Sequence, residues 1–179
     1  MRIRPAELSD LEAILALDHS YTTDHVWQMA GQSGGSSEQA VTFRLVQLPR
    51  QIQTPPPYEP DALKRCLHRC DHLWVMQAAA SHEILGYIGM ARLPWHHTGW
   101  IPAFAVAPYV RRKGIGTQLL HTAIAQAKAD GLHSVTLGLQ TKNYPATRFC
   151  QTRGMRFSGY ADNYYAGHDI ALFFAYRIR

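Results

Sequence analysis

Val106-Ala107-Pro108-Tyr109-Val110-Arg111-Arg112-Lys113-Gly114-Ile115-Gly116-Thr117 carries the chain from the end of an apolar strand into a strong helix. Glycines at 114 and 116 permit tight backbone geometry and remove side chains that would block a ligand. The first N–H groups of the helix lack intrahelical partners and sit at its positive dipole end, which makes the turn an anion site. Arg111, Arg112 and Lys113 concentrate charge there. A plain strand–helix connection with a solvated basic turn is the competing reading. A dinucleotide fingerprint fits poorly, because no third glycine follows at position 119, and a P-loop is excluded by the lack of Gly-Lys-Ser/Thr.

Working outward, Ile3 and its flanks read as a short strand. Ser9-Asp10-Leu11-Glu12 has capping-box spacing, followed by a helix to about His19. Gly31-Gln32-Ser33-Gly34-Gly35-Ser36-Ser37 reads as a flexible break, Val41 to Leu45 alternates like a strand, and Thr54-Pro55-Pro56-Pro57 is incompatible with helix. Asp61 to Cys70 reads as a helix. Leu73 to Met76 and Ile84 to Arg92 read as strands joined by a turn, and Ile101 to Val106 as another strand. The helix after Gly116 places Leu119, Leu120, Ala123, Ile124 and Ala127 on one face, with Gly131 closing it. Val135 to Leu139 is a strand, Asn143 caps a helix ending near Gly154, and two last strands bracket Gly167. This order predicts an α/β (α+β) fold with a mixed sheet in one domain over 1–179, carrying an insertion at about 31–60.

The 179 residues include 18 Lys+Arg against 13 Asp+Glu, a formal charge of +5, with 46% hydrophobic and 17% charged residues. That composition suits a folded domain rather than a disordered chain. No run approaches the ~20 apolar residues of a membrane span, and the first residues lack the apolar stretch of a signal peptide. Three cysteines, Cys66, Cys70 and Cys150, are too few for a disulfide framework, so a reduced cytoplasmic setting is the expectation. The positive balance suits an anionic partner, whether nucleic acid, membrane surface or phosphorylated small molecule.

Arg111-Arg112-Lys113-Gly114-Ile115-Gly116 resembles the pyrophosphate-binding motif Gln/Arg-x-x-Gly-x-Gly/Ala of the GNAT superfamily of acyl-CoA-dependent N-acetyltransferases. Ala105-Val106-Ala107-Pro108 resembles the end of that family's fourth strand. Asn143-Tyr144-Pro145-Ala146 and Gly154-Met155 resemble its second block, Asn-x-x-Ala…Gly-Phe. The likeness covers about residues 100–157. It implies a mixed, mostly antiparallel central sheet flanked by helices, whose splayed central strands admit the pantetheine arm of acetyl-CoA, with no metal. It assigns the pyrophosphate to backbone around Arg112, Lys113, Gly114, Ile115, Gly116 and Thr117, beside Arg111. Phe104, Ala105 and Val106 would pair with pantetheine, a free N–H there would polarise the thioester carbonyl, and Asn143 would help hold the arm. Lys142 and Arg148 are further cationic contributors. The implied reaction is direct acetyl transfer to a primary amine, either a polypeptide N-terminus or a small molecule.

The catalytic positions depart from the family. Its usual tyrosine acid is replaced by Cys150, a position that often carries glutamate or histidine becomes Gly138, and the fourth-strand base position falls near Trp100 or Pro102. Cys150 is therefore a candidate proton donor, with a small buried helix residue as the alternative. His96 and His97 precede the fourth strand and titrate in a useful range. Asn163-Tyr164-Tyr165-Ala166-Gly167-His168-Asp169 resembles a segment of polypeptide N-terminal acetyltransferases in which tyrosines hold the incoming peptide. This makes Tyr164 a candidate for catalysis and Tyr164 and Tyr165 candidates for acceptor binding, with a β-hairpin packed by aromatic cross-strand contacts as the alternative. Asp18 to His25 falls on the acceptor side, where Tyr21 and Asp24 are the candidate contacts, unless it is simply a solvated loop.

Cys66-x-His68-x-Cys70-x-His72 invites a metal reading, but alternation suits a strand and these residues look helical. No nucleic-acid-binding motif accompanies the charge, so neither nucleic acid nor membrane is expected as partner. The rival to an enzyme is a non-catalytic acyl-CoA-binding sensor or interaction domain. A homodimer is left open.

Overall fold

The computed structural model describes residues 1–33 and 40–179, and among these the chain forms nine strands and four α-helices. Strand β1 (Arg2–Pro5) leads through a 3-10 turn (Leu8–Asp10) into α1 (Leu11–Ala16). Two long strands, β2 (Tyr21–Ser33) and β3 (Ala40–Thr54), then form an antiparallel ribbon of their own. Helix α2 (Pro60–Leu67) follows, then β4 (His72–Gln77), β5 (Ile84–Leu93) and β6 (Thr98–Val106). The remainder runs α3 (Ile115–Ala129), β7 (Ser134–Gln140), α4 (Tyr144–Thr152), β8 (Arg156–Ala161) and β9 (Ala171–Arg177).

Seven strands make one sheet in the order β1-β4-β5-β6-β7-β9-β8. Every pair is antiparallel except β6 with β7. Helix α3 buries Leu119, Leu120, Ala123 and Ala127 against one face, together with Ile88, Met90, Val135 and Phe174. Ile14 of α1 and Leu63 and Leu67 of α2 cover the other face, over Val75, Tyr87 and Ala103. Truncating one of the fully buried leucines of α3 to alanine removes about 3 kcal/mol from such a core.

The middle of β6 shapes everything that follows. Ala103 pairs with Gly89 and Trp100 with Ala91, so Ile101 and Pro102 together oppose Met90 alone. This is a β-bulge, and Pro102 contributes no ladder N–H. The extra residue reverses the facing of the strand. Ile101 packs with the α3-side core, whereas Ala103 and Ala105 belong to the α1/α2 side. On its other edge β6 pairs with β7 only from Thr98 to Ile101, opposite Ser134 to Leu137. Beyond the bulge the two strands part.

Several boundaries differ from the sequence-based expectations. The capping interaction at the first helix lies two residues earlier, where the Glu7 amide donates to the Asp10 carboxylate (2.7 Å), and the helix stops at Ala16. Arg4 reaches the same carboxylate with both terminal nitrogens (2.7 Å each), and this charge pairing outcompetes Ser9 as the cap. The glycine-containing break at 31–37 does not hold for its first residues, because β2 continues through Ser33; residues 34–39 lie outside the described residues. The segment after Asp18 is strand from Tyr21 onward rather than a loop. The 31–60 segment accordingly belongs in part to a ribbon that begins at Tyr21.

Candidate active site

The parting of β6 and β7 opens a cleft of about 1100 Å³. Its floor is β6 from Ile101 to Val106 and β7 from Leu137 to Gln140. Its two ends are the glycine turn and the ribbon. At the first end, Gly114 has φ +83°, a left-handed conformation that favours glycine, and it serves as the N-cap of α3. Its own carbonyl accepts from the Gln118 amide (3.1 Å) and no side chain caps the helix. The first-turn N–H groups at Ile115, Gly116 and Thr117 therefore remain free of intrahelical partners. A Cβ at Gly116 would meet Phe104 and Phe149 only at an ordinary 3.5 Å, so the protein's own packing tolerates a side chain there. Glycine at 116 keeps the approach to those amides open instead. The open strand edge, the bare helix start and this unobstructed approach together fit a long ligand ending in a pyrophosphate.

The basic residues of the turn divide. Arg111 does not aim its guanidinium at an anion: Nε donates to the Val106 carbonyl (2.9 Å), and Nη2 donates to the carbonyls of Ser20 (2.8 Å) and Asp18 (3.3 Å). It is a clamp tying the end of β6 to the loop after α1, and burial draws its pKa below the usual value. Arg112, with φ +66°, is exposed and lines the cleft; Lys113 is exposed and lies outside the lining. Arg148 and Arg153 of the α4 region join Arg112 there, whereas Lys142 is engaged with Asp169 (2.7 Å). Asn143 lines the cleft and accepts the Ala146 amide through Oδ1 (3.2 Å), which caps α4 and leaves its Nδ2 to face other partners.

The predicted proton-handling residues fare differently. Cys150 is in the apolar core, about 1% exposed, with its thiol pushed by burial up to about 12. It borders the cleft, but a thiol that weakly acidic is a poor donor to a departing thiolate. His97 sits at the opposite end of β6, where that strand still pairs with β7, and its ring stacks on His133 at 4.8 Å. It does not reach the cleft. Tyr164 also lies outside the lining: its ring packs edge-on to Phe173 (5.5 Å) and it is 43% exposed. Its neighbour Tyr165 is buried and does line the cleft, 5.9 Å from the ring of Tyr58. A side chain at Gly138 would press on Phe173 at 3.1 Å and on Trp100 at 3.4 Å. This aromatic pair, 5.9 Å apart, fills the space a catalytic side chain would take.

The ribbon end of the cleft is assembled by long-range contacts. Tyr21 is buried and donates to Gln140 Oε1 (2.9 Å), Gln140 Nε2 donates to Asp169 (2.9 Å), and Lys142 completes the chain on the same carboxylate. The network joins the first residue of β2, the last of β7 and the loop that carries Tyr165. Asp24 lines the cleft with its carboxylate held below the usual range, chiefly by a hydrogen bond to His25 (2.8 Å). His25 in turn lies against the ring of Tyr144 at 4.8 Å. Trp27 anchors the ribbon, its amide donating to Thr141 (3.0 Å) and its indole N–H to Thr147 (3.2 Å). Tyr58, Gln140, Arg153 and the pair His19–Tyr87, in contact at 2.8 Å, line the cleft without belonging to any recognisable motif. Only the fold brings them together. Among the described residues no three His, Cys, Asp or Glu side chains converge as metal ligands, and residues 66–72 divide between α2, the turn after it and β4.

Comparison with solved structures places this architecture among acetyltransferases. Nourseothricin acetyltransferase superposes with a TM-score of 0.84 at 24% identity, covering 99% of this chain and 98% of the other. A Bacillus anthracis protein assigned as a streptothricin acetyltransferase, solved with acetyl coenzyme A, gives 0.75 at 18% identity, covering 99% and 97%. The ribosomal-protein-S18-alanine N-acetyltransferase of Escherichia coli gives 0.66 at 15% identity, covering 99% and 93%. A search of curated proteins finds no match. Residues 41–155, which include the glycine turn, the open edge of β6 and the Asn143 cap, match the acetyltransferase (GNAT) family model, and the chain belongs to that family.

Proposed function

We propose that the protein transfers the acetyl group of acetyl-CoA to the primary amine of a small cationic molecule. The observation that carries the reading is the separation of β6 from β7 beyond Ile101, which opens onto the bare first turn of α3. On this reading the amides at Ile115, Gly116 and Thr117 hold the pyrophosphate, with Arg112, Arg148 and Arg153 supplying charge at the mouth. The free edge of β6 from Ala103 to Val106 pairs with the pantetheine amides. A β6 N–H directed into the gap polarises the thioester carbonyl as charge grows on its oxygen. The long binding contact holds the reacting carbon in place, which is itself a large part of catalysis.

For the acceptor, the positions of the two adjacent tyrosines support a compact molecule over a peptide. Tyr164 stands outside the lining, edge-on to Tyr165 at 5.1 Å, so of the pair only Tyr165 faces the cleft. The acceptor end is instead lined by Tyr21, Tyr58, Tyr87 and Tyr165, with Asp18 and Asp24 at its edge. Aromatic faces and carboxylates suit a cationic amine. The resemblance to acetyltransferases of nourseothricin and streptothricin supports the same class.

The test is acetyl-CoA-dependent thiol release with nourseothricin and, in parallel, with a short peptide bearing an N-terminal alanine. Amine-dependent release with nourseothricin, and a mass gain of one acetyl group on it, is the expected result. Preference for the peptide overturns the acceptor assignment. Binding of acetyl-CoA with no acceptor-dependent release from any amine favours a sensor role.

A further inference from the structure

We infer that Tyr87 and His19 are the relay that removes the proton from the acceptor amine, with Tyr87 touching the amine nitrogen and His19 receiving the proton through it. The inference rests on the acetyl-transfer reading above. Tyr87 of β5 stands opposite Ala105 of β6, on the strand whose other edge is open, and its side chain lies on the α1/α2 face with Ala103. Its hydroxyl is 2.8 Å from His19 Nε2, and the rings meet edge-on at 5.7 Å. Both residues line the cleft. The positions that serve this purpose elsewhere are closed here: Gly138 carries no side chain and faces the Trp100–Phe173 pair, and His97 is at the far end of β6. Cys150 and Tyr87 both border the cleft and are both about 1% exposed, but the Tyr87 hydroxyl has a half-buried histidine as its hydrogen-bond partner and the Cys150 thiol packs among apolar core residues.

In the tautomer that carries its proton on Nδ1, His19 Nε2 is the acceptor and the Tyr87 hydroxyl donates to it. The charged groups near His19 are Asp18 and Arg111, of opposite sign, and the groups facing Tyr87 are the thiols of Cys66 and Cys70 and the phenol of Tyr58. Burial draws the His19 pKa below the ordinary histidine value, which keeps the ring neutral and ready to accept at neutral pH. Burial also raises the pKa of Tyr87, so a free phenolate is disfavoured and the two transfers must be concerted.

In the step itself, the amine lone pair forms the new C–N bond at the thioester carbonyl carbon. The C–S bond breaks and its electron pair leaves with the coenzyme sulfur as thiolate. The proton lost by nitrogen passes to Tyr87 Oη while the Tyr87 proton passes to His19 Nε2. Tyrosine is regenerated, and imidazolium and thiolate balance in charge until solvent carries the proton from one to the other. His25, paired with Asp24, is the other histidine at the cleft, but it lies on the ribbon against Tyr144 rather than across from the open edge of β6.

The experiment compares wild type with Tyr87→Phe, His19→Gln, their double variant and His25→Gln, using saturating acetyl-CoA and nourseothricin. Each of Tyr87→Phe and His19→Gln should lower kcat about 100-fold. The double variant should be no worse than either, because the pair acts as a unit. Acetyl-CoA affinity should stay unchanged in all of them. In wild type the rate should fall as pH drops through the His19 pKa, and this acid limb should vanish in His19→Gln. A second readout needs no turnover: the His19 imidazole resonance, identified by its loss in His19→Gln, is titrated in wild type and Tyr87→Phe. Removing the donor that favours the neutral ring should raise its pKa. The inference is overturned if the single variants keep wild-type kcat and pH profile, if His25→Gln alone abolishes the acid limb, or if the His19 titration is the same in Tyr87→Phe. If wild type shows no acceptor-dependent thiol release at all, the acetyl-transfer reading has failed, and the relay with it.

Discussion

The two ends of the cleft are built by different means. The end at the glycine turn, proposed above to hold the coenzyme, is made of backbone: a bulged strand edge, a left-handed glycine and the uncapped start of a helix. The ribbon end, proposed to hold the acceptor, is made of side chains drawn from distant parts of the chain. Tyr21 meets Gln140 119 residues away, and Trp27 meets Thr147 120 residues away. A backbone site tolerates change in almost every side chain around it and keeps its ligand. A side-chain site changes its ligand whenever its residues change. On the proposed reading, such a domain keeps a fixed cosubstrate while its acceptor can diversify.

The contrast is broken most sharply at Gly116. Gly116→Asp adds a side chain that the protein's own packing accommodates, yet it places bulk and negative charge over the free amides. Acetyl-CoA affinity measured by calorimetry should fall about 100-fold while the melting temperature changes little. Arg111→Ala tests the clamp between the two ends. It strips partners from three backbone carbonyls and should cost about 2 kcal/mol of stability in urea unfolding, degrading both ends together. Lys142→Met should sharpen the comparison by harming one end only. With Asp169 left without its cation and held only by Gln140, kcat/KM for the amine should drop about tenfold while acetyl-CoA affinity stays within twofold.

The smallest effect is a dependence on pH. Hydrogen bonds from Arg4 hold the Asp10 carboxyl below the usual carboxylate range. Stability from this contact is therefore present above the unfolded carboxylate pKa and is lost as pH falls through the lower folded value. Hydrogen exchange should show α1 and its junction with β1 loosening in that acid range before α3 does. Asp10→Asn should remove the difference.

The same contrast explains what could be read from the sequence. Arg111 to Thr117 and Asn143 to Ala146 are local patterns whose backbone consequences follow from residue type, so the turn, both helix starts and the mixed sheet were legible. The role of Arg111 was not, since its carbonyl partners at Asp18 and Ser20 lie more than ninety residues away. Cys150 is a candidate by its place in the family's motif, and His97 by its place just before the fourth strand in sequence. Burial decides the one and the direction of β6 decides the other. Tyr164 and Tyr165 are adjacent and their rings touch edge-on, yet only Tyr165 is buried and lines the cleft, because a two-residue motif carries no information on which of its side chains a loop turns inward. The long ribbon was partly visible in the alternation at Val41 to Leu45. Its partner strand was hidden by Gly31, Gln32 and Ser33, which β2 accepts through its register shift between Ala30 and Gln32.

Trp27 has a thermodynamic consequence. Its indole binds Thr147 on the helix capped by Asn143, so the wall of the acceptor end and a support of the coenzyme end are mechanically one piece. Whatever factor loading of acetyl-CoA applies to amine affinity, the amine must apply to acetyl-CoA affinity in return. Trp27→Phe, which cuts the tie and keeps the ring, should bring that reciprocal factor toward unity and leave each ligand to bind as though the other were absent.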